Sequence, residues 1–186
     1  MFKNTVAKFI YKRTYSRWIP EEERREEWPE TIERYITFLN SKIDDIPPKT
    51  VRKIRQYMLE FAVMPSMRML WAAGEAAEKD NTCIYNCSFA KINCVEAFAE
   101  CLHILMCGTG FGFSVTQEDV SQLPSVPEGI ESGQNKPKIT IDDSREGWAD
   151  SVKTLLNSLY GKQNIYFDYS QLRPEGARLK IMGGRS

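Results

Sequence analysis

The segment from Cys83 to Val115 constrains the fold of this chain most strongly, because it holds all five cysteines, the single histidine and a dense cluster of glycines. Residues 83–92 alternate between two faces in the manner of a β-strand. Apolar residues then recur at helical spacing over Val95–Met106. Glycines break this helix, and residues 111–115 read as a second strand. The order strand, helix, glycine turn, strand predicts a βαβ unit, whose crossover we expect to be right-handed.

Outside this segment, periodicity, capping patterns and turn residues predict helices first and a looser arrangement afterwards. The first expected elements are an N-terminal helix with the apolar stripe Phe2, Val6, Phe9 and Ile10, a helix from Pro29 that turns Ile32, Tyr35, Ile36 and Leu39 inward, a helix capped by Thr50, and a polar loop at GEAAEKDNT. The central helix is expected to begin with a capping box at Asn93 and Glu96. After the central segment we expect a long surface connection over residues 117–138, a short strand at 138–141, a helix with a capping box at Asp143 and Glu146 and a stop at Gly161, a strand at 165–169, and a strand entering a glycine loop at RLKIMGGRS.

The charge balance and the cysteine usage exclude several classes of protein. The 186 residues carry 25 basic and 25 acidic side chains, which leaves no electrostatic footprint for nucleic acid or an anionic membrane. No apolar run approaches the ~18 residues of a membrane-spanning helix, and the N-terminus lacks the continuous apolar core of a signal peptide. Because the cysteines are odd in number and clustered, unlike a disulfide framework, we expect reduced thiols and a cytoplasmic location.

The residues that could carry chemistry leave more than one interpretation open. The cysteine spacings and the single histidine, His103, do not fit a zinc site, so we expect no bound metal. The glycines of GTGFG follow a helix and precede a strand, which reverses a dinucleotide-binding fingerprint and favours a tight turn over close approach to a ligand. Cys87 is either a redox thiol or a buried, inert cysteine, and the pattern alone favours the second. Arg68 and Arg145 read as surface or capping charges. The cysteines around the helix are expected to pack as small apolar residues: Cys94, Cys101 and Cys107.

Seven motifs in order resemble the N-terminal part of one enzyme family. They are RTYSRW, MPSMRMLWAAG, YNCSF, LMCGTGFGFSV, DSREGWADSVKTLL, DYSQLRPEGARLK and GGRS. The family is that of the adenosylcobalamin-dependent (class II) ribonucleotide reductases, in particular the monomeric ribonucleoside-triphosphate reductase type. The resemblance implies an α/β fold with a helical N-terminal region at residues 1–80, followed at residues 81–186 by the first, incomplete part of a ten-stranded α/β barrel. It also implies conversion of ribonucleotides, expected to be triphosphates, to 2′-deoxyribonucleotides by radical chemistry.

The same resemblance gives Cys87 a catalytic role. In the family, the matching cysteine lies on the first barrel strand and forms a disulfide with a partner cysteine when the ribose is reduced. Removal of the 2′-hydroxyl requires two reducing equivalents, which a dithiol supplies by forming an S–S bond. The substrate-binding residues that the resemblance implies are Ser66, Arg68, Asn86, Ser88 and Gly110.

The resemblance further implies regulation and partners. Effector recognition, and its relay to the substrate site, would involve Val115, Thr116, Gly183 and Gly184. The implied partners are a ribonucleotide substrate, a deoxynucleotide effector and a thioredoxin-like or dithiol reductant. The implied cofactor is adenosylcobalamin, with its site mostly outside this chain. Because the radical cysteine and the partner of Cys87 have no counterpart in these residues, we also expect a complementary C-terminal reductase polypeptide.

Two other functions stay open at this point. One is a nucleotide-binding regulatory module that derives from a reductase but lacks catalysis. The other is a small thiol redox protein that uses Cys83 and Cys87. These two residues are four positions apart along the expected strand, roughly 13 Å at the usual rise, which is beyond the reach of a disulfide. The regulatory module is therefore the main alternative.

Overall fold

The computed structural model describes residues 2–129 and 136–179, and the chain forms two compact units. The first comprises Met1–Tyr85 and the segment that begins at Arg178, and the second comprises Asn86–Ala177. The elements of the first unit are α1 (Thr5–Thr14), the antiparallel strands β1 (Trp18–Ile19) and β2 (Arg24–Arg25), α2 (Trp28–Lys42), α3 (Pro48–Leu59), α4 (Met67–Ala72) and α5 (Glu75–Lys79), with 3-10 helices at Pro20–Glu22 and Asn81–Ile84. The second unit contains β3 (Cys87–Lys91), α6 (Val95–Met106), β4 (Gly110–Ser114), α7 (Gln117–Val120), β5 (Lys138–Thr140), α8 (Arg145–Tyr160) and β6 (Tyr166–Asp168).

The core of the first unit forms on the apolar face predicted for α2. Ile32 and Ile36 are buried, whereas Tyr35 and Leu39 are half-buried. Trp28 is also buried, and its indole N–H donates to the carbonyl of Met58 in α3 at 3.2 Å, so its polar atom is satisfied inside the core. The predicted orientation of α2 is therefore confirmed.

The apolar stripe predicted for α1 is wrong for most of its residues, because Tyr11 is the residue of this helix that the structure buries. The stripe is exposed: Val6 by 65%, Phe9 by 60% and Ile10 by 49%. The Tyr11 ring packs edge-on against Trp28 at 5.4 Å between centroids, Phe2 stacks on it at 4.9 Å, and its hydroxyl lies 2.7 Å from Oγ1 of Thr31. Burial raises the pKa of Tyr11 to about 12. One aromatic ring with a satisfied hydroxyl thus decides which face of α1 is inward.

α3 begins earlier than its predicted cap. Pro47 is the N-cap residue and Pro48 the first helical residue, so Thr50 lies inside the first turn rather than at the cap. Proline suits this place because its fixed φ is preorganised for a helix and its missing N–H would have had no helical partner.

The segment GEAAEKDNT is not the polar loop that its composition indicates. Residues Glu75–Lys79 form α5, and Asp80 then caps the 3-10 helix Asn81–Ile84 by accepting from Thr82 N at 2.9 Å. Ala76 and Ala77 are buried. The high helix propensity of alanine, together with this burial, outweighs the charged neighbours.

The βαβ unit predicted from the central segment is present in the second unit. β3 and β4 are parallel, with Cys87 opposite Gly110, and α6 has the predicted bounds. β3 begins at Cys87 instead of Cys83, because Cys83 belongs to the preceding 3-10 helix. The cap of α6 is Cys94 rather than Asn93, whose side chain is hydrogen-bonded elsewhere.

A second βαβ arrangement follows, and its parallel pairing was not predicted. The expected strands at residues 138–141 and 165–169 are β5 and β6, which pair in parallel around α8. α8 is capped by Ser144 rather than Asp143, since the Ser144 hydroxyl accepts from Gly147 N at 2.9 Å. Asp143 instead accepts from Nε of Arg173 at 2.8 Å. The predicted stop at Gly161 is confirmed.

The mixed α/β class is confirmed, but the ten-stranded barrel is not. The described residues contain three two-stranded sheets. The predicted surface connection after β4 begins with a short helix, α7. The glycine loop predicted in RLKIMGGRS lies outside the described residues, which end at position 179. None of the helices within residues 2–129 and 136–179 has the length and apolar character needed to cross a membrane.

Candidate functional site

The pairing of β3 with β4 puts the Cys87 thiol beside residues that have no side chain. Cys87 is opposite Gly110 and Phe89 is opposite Gly112. Directly paired residues of neighbouring strands project on the same face of a sheet. Cys87 is exposed, so the buried, inert cysteine favoured by the pattern alone is wrong. The result is an accessible thiol on a strand face that the neighbouring strand leaves bare.

Asn86 and Ser88, the two residues that flank Cys87, both bind the backbone of Gly110. The amide of Gly110 donates to the carbonyl of Asn86 at 2.8 Å. The hydroxyl of Ser88 donates to the carbonyl of Gly110 at 3.2 Å. The structure therefore brings together four of the predicted site residues, and these hydrogen bonds fix the distance between the two strands at the thiol.

The glycines of GTGFG divide between a turn and a strand. Gly108 has φ of 80°, in the left-handed region that favours glycine, and makes the turn after α6. Gly110 and Gly112 lie within β4. A Cβ atom on Gly110 would lie 3.4 Å from the carbonyl oxygen of Asn86 and 3.8 Å from Sγ of Cys87. The tight turn is thus the role of Gly108, whereas Gly110 keeps open the space next to the thiol.

Ser66 and Arg68 lie in the first unit, around helix α4. The Ser66 hydroxyl caps this helix by accepting from the amide of Met69 at 3.0 Å. The Arg68 guanidinium lies 5.0 Å from the centre of the Trp71 ring, and its Nε is 3.4 Å from the carbonyl oxygen of Tyr85. Arg68 is thus half-buried and engaged with its neighbours rather than a free surface charge. That both residues bind substrate is still a prediction.

The segment after β4 contains a buried carboxylate, Asp119, that sequence reasoning missed. Hydrogen bonds from the hydroxyls of Ser114 and Thr116 to Oδ2 hold the pKa of Asp119 below its ordinary value. The other carboxylate oxygen is buried, and among the residues that the structure describes it has no hydrogen-bond partner; Nζ of Lys91 is 3.6 Å from it. Thr116 in turn accepts from the amide of Asp119 at 3.2 Å. The signal was present, because a threonine followed three residues later by an acid is a helix-capping pattern.

Two of the four predicted effector residues, Val115 and Thr116, lie within the described part of the chain. Thr116 is fixed by Asp119, whereas the neighbouring Val115 is 70% exposed. Gly183 and Gly184 lie outside the described residues.

Cys94, Cys101 and Cys107, which were expected to pack as small apolar residues, differ in burial and in their contacts. Cys107 is buried, but Nη1 of Arg145 lies 2.8 Å from its Sγ and Nε2 of His103 lies 3.7 Å away. Arg145 is therefore a half-buried contact of a thiol and not a surface charge. Cys94 is exposed, while Cys101 is half-buried and burial raises its pKa.

Comparisons with known proteins converge on one family. Residues 1–75 match the family model described as the ribonucleotide reductase alpha domain. Over 96% of its length the chain superimposes on the crystal structure of a B-12 dependent (class II) ribonucleotide reductase, with a TM-score of 0.78 and 25% identity, and it covers 34% of that chain. This chain is similar to the N-terminal third of a class II ribonucleotide reductase.

The curated relatives carry a common name, that of an adenosylcobalamin-dependent ribonucleoside-triphosphate reductase. The chain is 26% identical to the adenosylcobalamin-dependent ribonucleoside-triphosphate reductase of Lactobacillus helveticus, over 94% of this chain and 33% of the relative. It is 29% identical to a putative adenosylcobalamin-dependent ribonucleoside-triphosphate reductase of Mycobacterium phage D29, over 96% of this chain and 30% of the relative. The chain thus spans about a third of the length of the curated relatives that it matches.

Proposed function

We propose that this chain is the N-terminal part of a class II ribonucleotide reductase that converts ribonucleoside triphosphates to 2′-deoxyribonucleotides. The similarity along almost the whole chain supports the family, and the names of the relatives support the triphosphate substrate. The single observation that carries the site is the exposed Cys87 thiol next to the bare backbone of Gly110.

Cys87 is one of the two cysteines that reduce the ribose. In this step the C2′–O bond breaks and the hydroxyl leaves as water. Two thiols supply the two electrons and two protons, and an S–S bond forms between their sulfurs. Cys87 suits this role because its sulfur is accessible both to substrate and to a second thiol. Its partner cysteine would come from a later strand of the complete barrel.

The sugar approaches Cys87 across Gly110. A substrate that must bring its C2′ atom near Sγ needs a neighbouring strand without a side chain at this point. Asn86 and Ser88 hold the Gly110 backbone in place and border the same space. Ser66 and Arg68 are proposed as further substrate-binding residues.

Effector binding is proposed for the segment after β4. Val115 and Thr116 would begin the effector-sensing loop, and Gly183 and Gly184 would belong to the loop that relays the signal to the substrate site. The effector would be a deoxynucleotide. The buried Asp119 supports this proposal, because it fixes Thr116 at the base of the loop.

The architecture and the partners complete the proposal. Residues 1–80 form the helical region, and residues 81–186 supply the first strands of a ten-stranded barrel that a complementary C-terminal polypeptide completes. The cofactor is adenosylcobalamin, which supplies the radical when bound. Its site would lie mostly outside this chain, and the steps proposed for this chain's own residues are substrate binding and electron donation. A thioredoxin-like protein or a dithiol re-reduces the cysteine pair in the cytoplasm.

The test is reconstitution of the chain with the complementary two-thirds of a class II reductase. The mixture is assayed for deoxynucleotide formation with adenosylcobalamin and a dithiol, and the 186-residue chain alone should form none. Cys87→Ser should retain nucleotide binding but abolish multiple turnovers. Cys94→Ser is the matched control, because Cys94 is a second exposed cysteine of the same unit, and it should retain turnover.

Three results would count against the proposal. Wild-type turnover by Cys87→Ser would show that the Cys87 thiol takes no part in the reduction. Nucleotide binding without any gain from the complementary polypeptide would favour a regulatory module. Deoxynucleotide formation by the chain alone would contradict the need for a partner.

A further inference from the structure

The motif RTYSRW, which the proposed chemistry leaves without a role, is tied to helix α4. The guanidinium of Arg17, in this motif, donates through Nη2 to the carbonyl oxygen of Trp71 near the end of α4. The backbone amide of Arg17 donates to Oε2 of Glu26 at 3.1 Å. Arg17 therefore bridges a buried carboxylate and the carboxyl end of α4.

A second arginine reaches the same helix end from α2. Nη1 of Arg34 donates to the carbonyl oxygens of Leu70 at 3.2 Å and Ala73 at 2.9 Å. The last carbonyls of a helix lack partners within the helix, and arginine donors satisfy them while their charge complements the negative end of the helix dipole. Arg17 and Arg34 together bind three of the four carbonyl groups of residues 70–73 at this end of α4.

Glu26 orients the second arginine. Its Oε1 accepts from Nε of Arg34 at 2.8 Å, and its Oε2 accepts from Nη2 of Arg34 at 3.1 Å and from the hydroxyl of Thr31 at 2.8 Å. The Glu26 side chain is 9% exposed and that of Arg34 is 17% exposed. A bidentate pair with this little exposure fixes the direction of the guanidinium as well as its position.

Through Trp71, the contacts of Arg17 lead to Arg68. Trp71, whose carbonyl oxygen Arg17 binds, carries the ring over which the Arg68 guanidinium lies at 5.0 Å. Nε of Arg68 is 3.4 Å from the carbonyl oxygen of Tyr85, which precedes Asn86 and Cys87 in the chain. A chain of contacts thus runs from Glu26 through Arg17 and Trp71 to Arg68.

We propose that Arg17 and Arg34 are positioning residues, which fix the carboxyl end of α4 and thereby set the place of the Arg68 guanidinium for a polar group of the nucleotide substrate. This inference rests on the proposed function for the role of Arg68 and extends it to residues that touch no substrate. Arg17 and Arg34 act through helix α4, so their loss should misplace Arg68 without removing it.

The first experiment measures the position of Arg68 directly, without reference to activity. In NMR spectra of the 186-residue chain, the Nε–H resonance of Arg68 should be displaced by the ring current of Trp71. Arg17→Met should remove most of this displacement. Arg17→Lys keeps the charge and one donor, so it should remove less and serves where Arg17→Met does not fold. Arg55→Met, which deletes a half-buried arginine paired with exposed Glu33, is the matched control and should leave the resonance unchanged.

The second experiment is a double-mutant cycle on substrate binding in the reconstituted reductase. Arg68→Ala and Arg17→Met should each raise the substrate KM roughly tenfold. The KM of the double variant should also be raised roughly tenfold rather than roughly a hundredfold, because both changes remove the same interaction. Arg55→Met should keep the wild-type KM.

The two experiments separate failure of the positioning role from failure of the proposed function. An unchanged Arg68 resonance in a folded Arg17 variant, or multiplied KM effects in the double variant, would overturn the positioning role. If Arg17→Met shifts the Arg68 resonance but Arg68→Ala keeps the wild-type KM, the substrate role of Arg68 is overturned, and with it this inference as it applies to the nucleotide.

Discussion

A side chain at Gly110 should block the Cys87 site while leaving the fold intact. A Cβ atom there would meet the Asn86 carbonyl oxygen at 3.4 Å and Sγ of Cys87 at 3.8 Å, both ordinary contact distances. Because Gly110 lies in a strand and glycine loses more backbone entropy on folding than alanine, Gly110→Ala should leave stability unchanged or raise it by roughly 0.5–1 kcal/mol. Gly110→Val places two more methyl groups around the sulfur. We expect it to reduce kcat/KM for nucleotide reduction at least about tenfold, or ~1.4 kcal/mol of transition-state stabilisation.

Gly112 provides the matched control for this prediction. It lies on the same strand, and its Cβ would be 3.5 Å from the Phe89 ring, so the steric setting is similar but the thiol is not the neighbour. The assay compares kcat/KM, urea denaturation and the rate of Cys87 alkylation by iodoacetamide for Gly110→Val and Gly112→Val. Alkylation should slow in the first variant and not in the second. Equal losses of stability and activity in both variants would show that Gly110 does not keep the thiol accessible and would leave it a purely structural role.

Further predictions concern buried charges and thiols. Glu26→Gln should lower the free energy of unfolding by about 3–5 kcal/mol, since it leaves the half-buried guanidinium of Arg34 without its charged partner. Glu33→Gln, in the exposed pair with Arg55, should cost about 0–1 kcal/mol, and urea denaturation of both variants measures the difference. Burial alone raises the pKa of Glu26, but hydrogen bonds from Arg34 and its other neighbours bring the pKa below its ordinary value. The stabilisation is therefore complete above the ordinary carboxyl pKa and is lost as the pH falls through the lowered one, so the gap between wild type and Glu26→Gln should close in acid. Asp119→Asn should speed hydrogen exchange at residues 114–116 without changing exchange in α8, and equal exchange in both proteins would show that Asp119 does not hold this segment. Cys101→Ala, at a half-buried position, should cost at most about 2 kcal/mol of stability and leave turnover unchanged.

Helix α6 shows what sequence patterns predict well. Its bounds, Val95–Met106, follow from apolar periodicity, and the strand on each side follows from alternation and from the glycines. The cap was wrong by one residue because Cys94 has the extended backbone of a cap without a side chain that signals one. Local patterns thus locate long periodic elements better than their ends.

Tertiary contacts account for what the sequence did not predict. The α1 stripe looked like a core face, yet Tyr11 is inward because its ring meets Trp28 and its hydroxyl meets Thr31, contacts that depend on α2. The exposure of Cys87 likewise depends on its pairing with β4, since the strand pattern alone does not show which face is covered. The resemblance to a family singled out Cys87, whereas its surroundings follow from the pairing of β3 with β4.

The most direct test of the account is the state of Cys87 after a single turnover without added reductant. The reconstituted reductase is pre-reduced, freed of dithiol, given ribonucleoside triphosphate and adenosylcobalamin, and then alkylated and mapped by mass spectrometry. Cys87 should become protected within a disulfide in proportion to the deoxynucleotide formed, while exposed Cys94 should remain open to alkylation. Formation of deoxynucleotide with Cys87 still a free thiol would show that Cys87 does not donate the electrons.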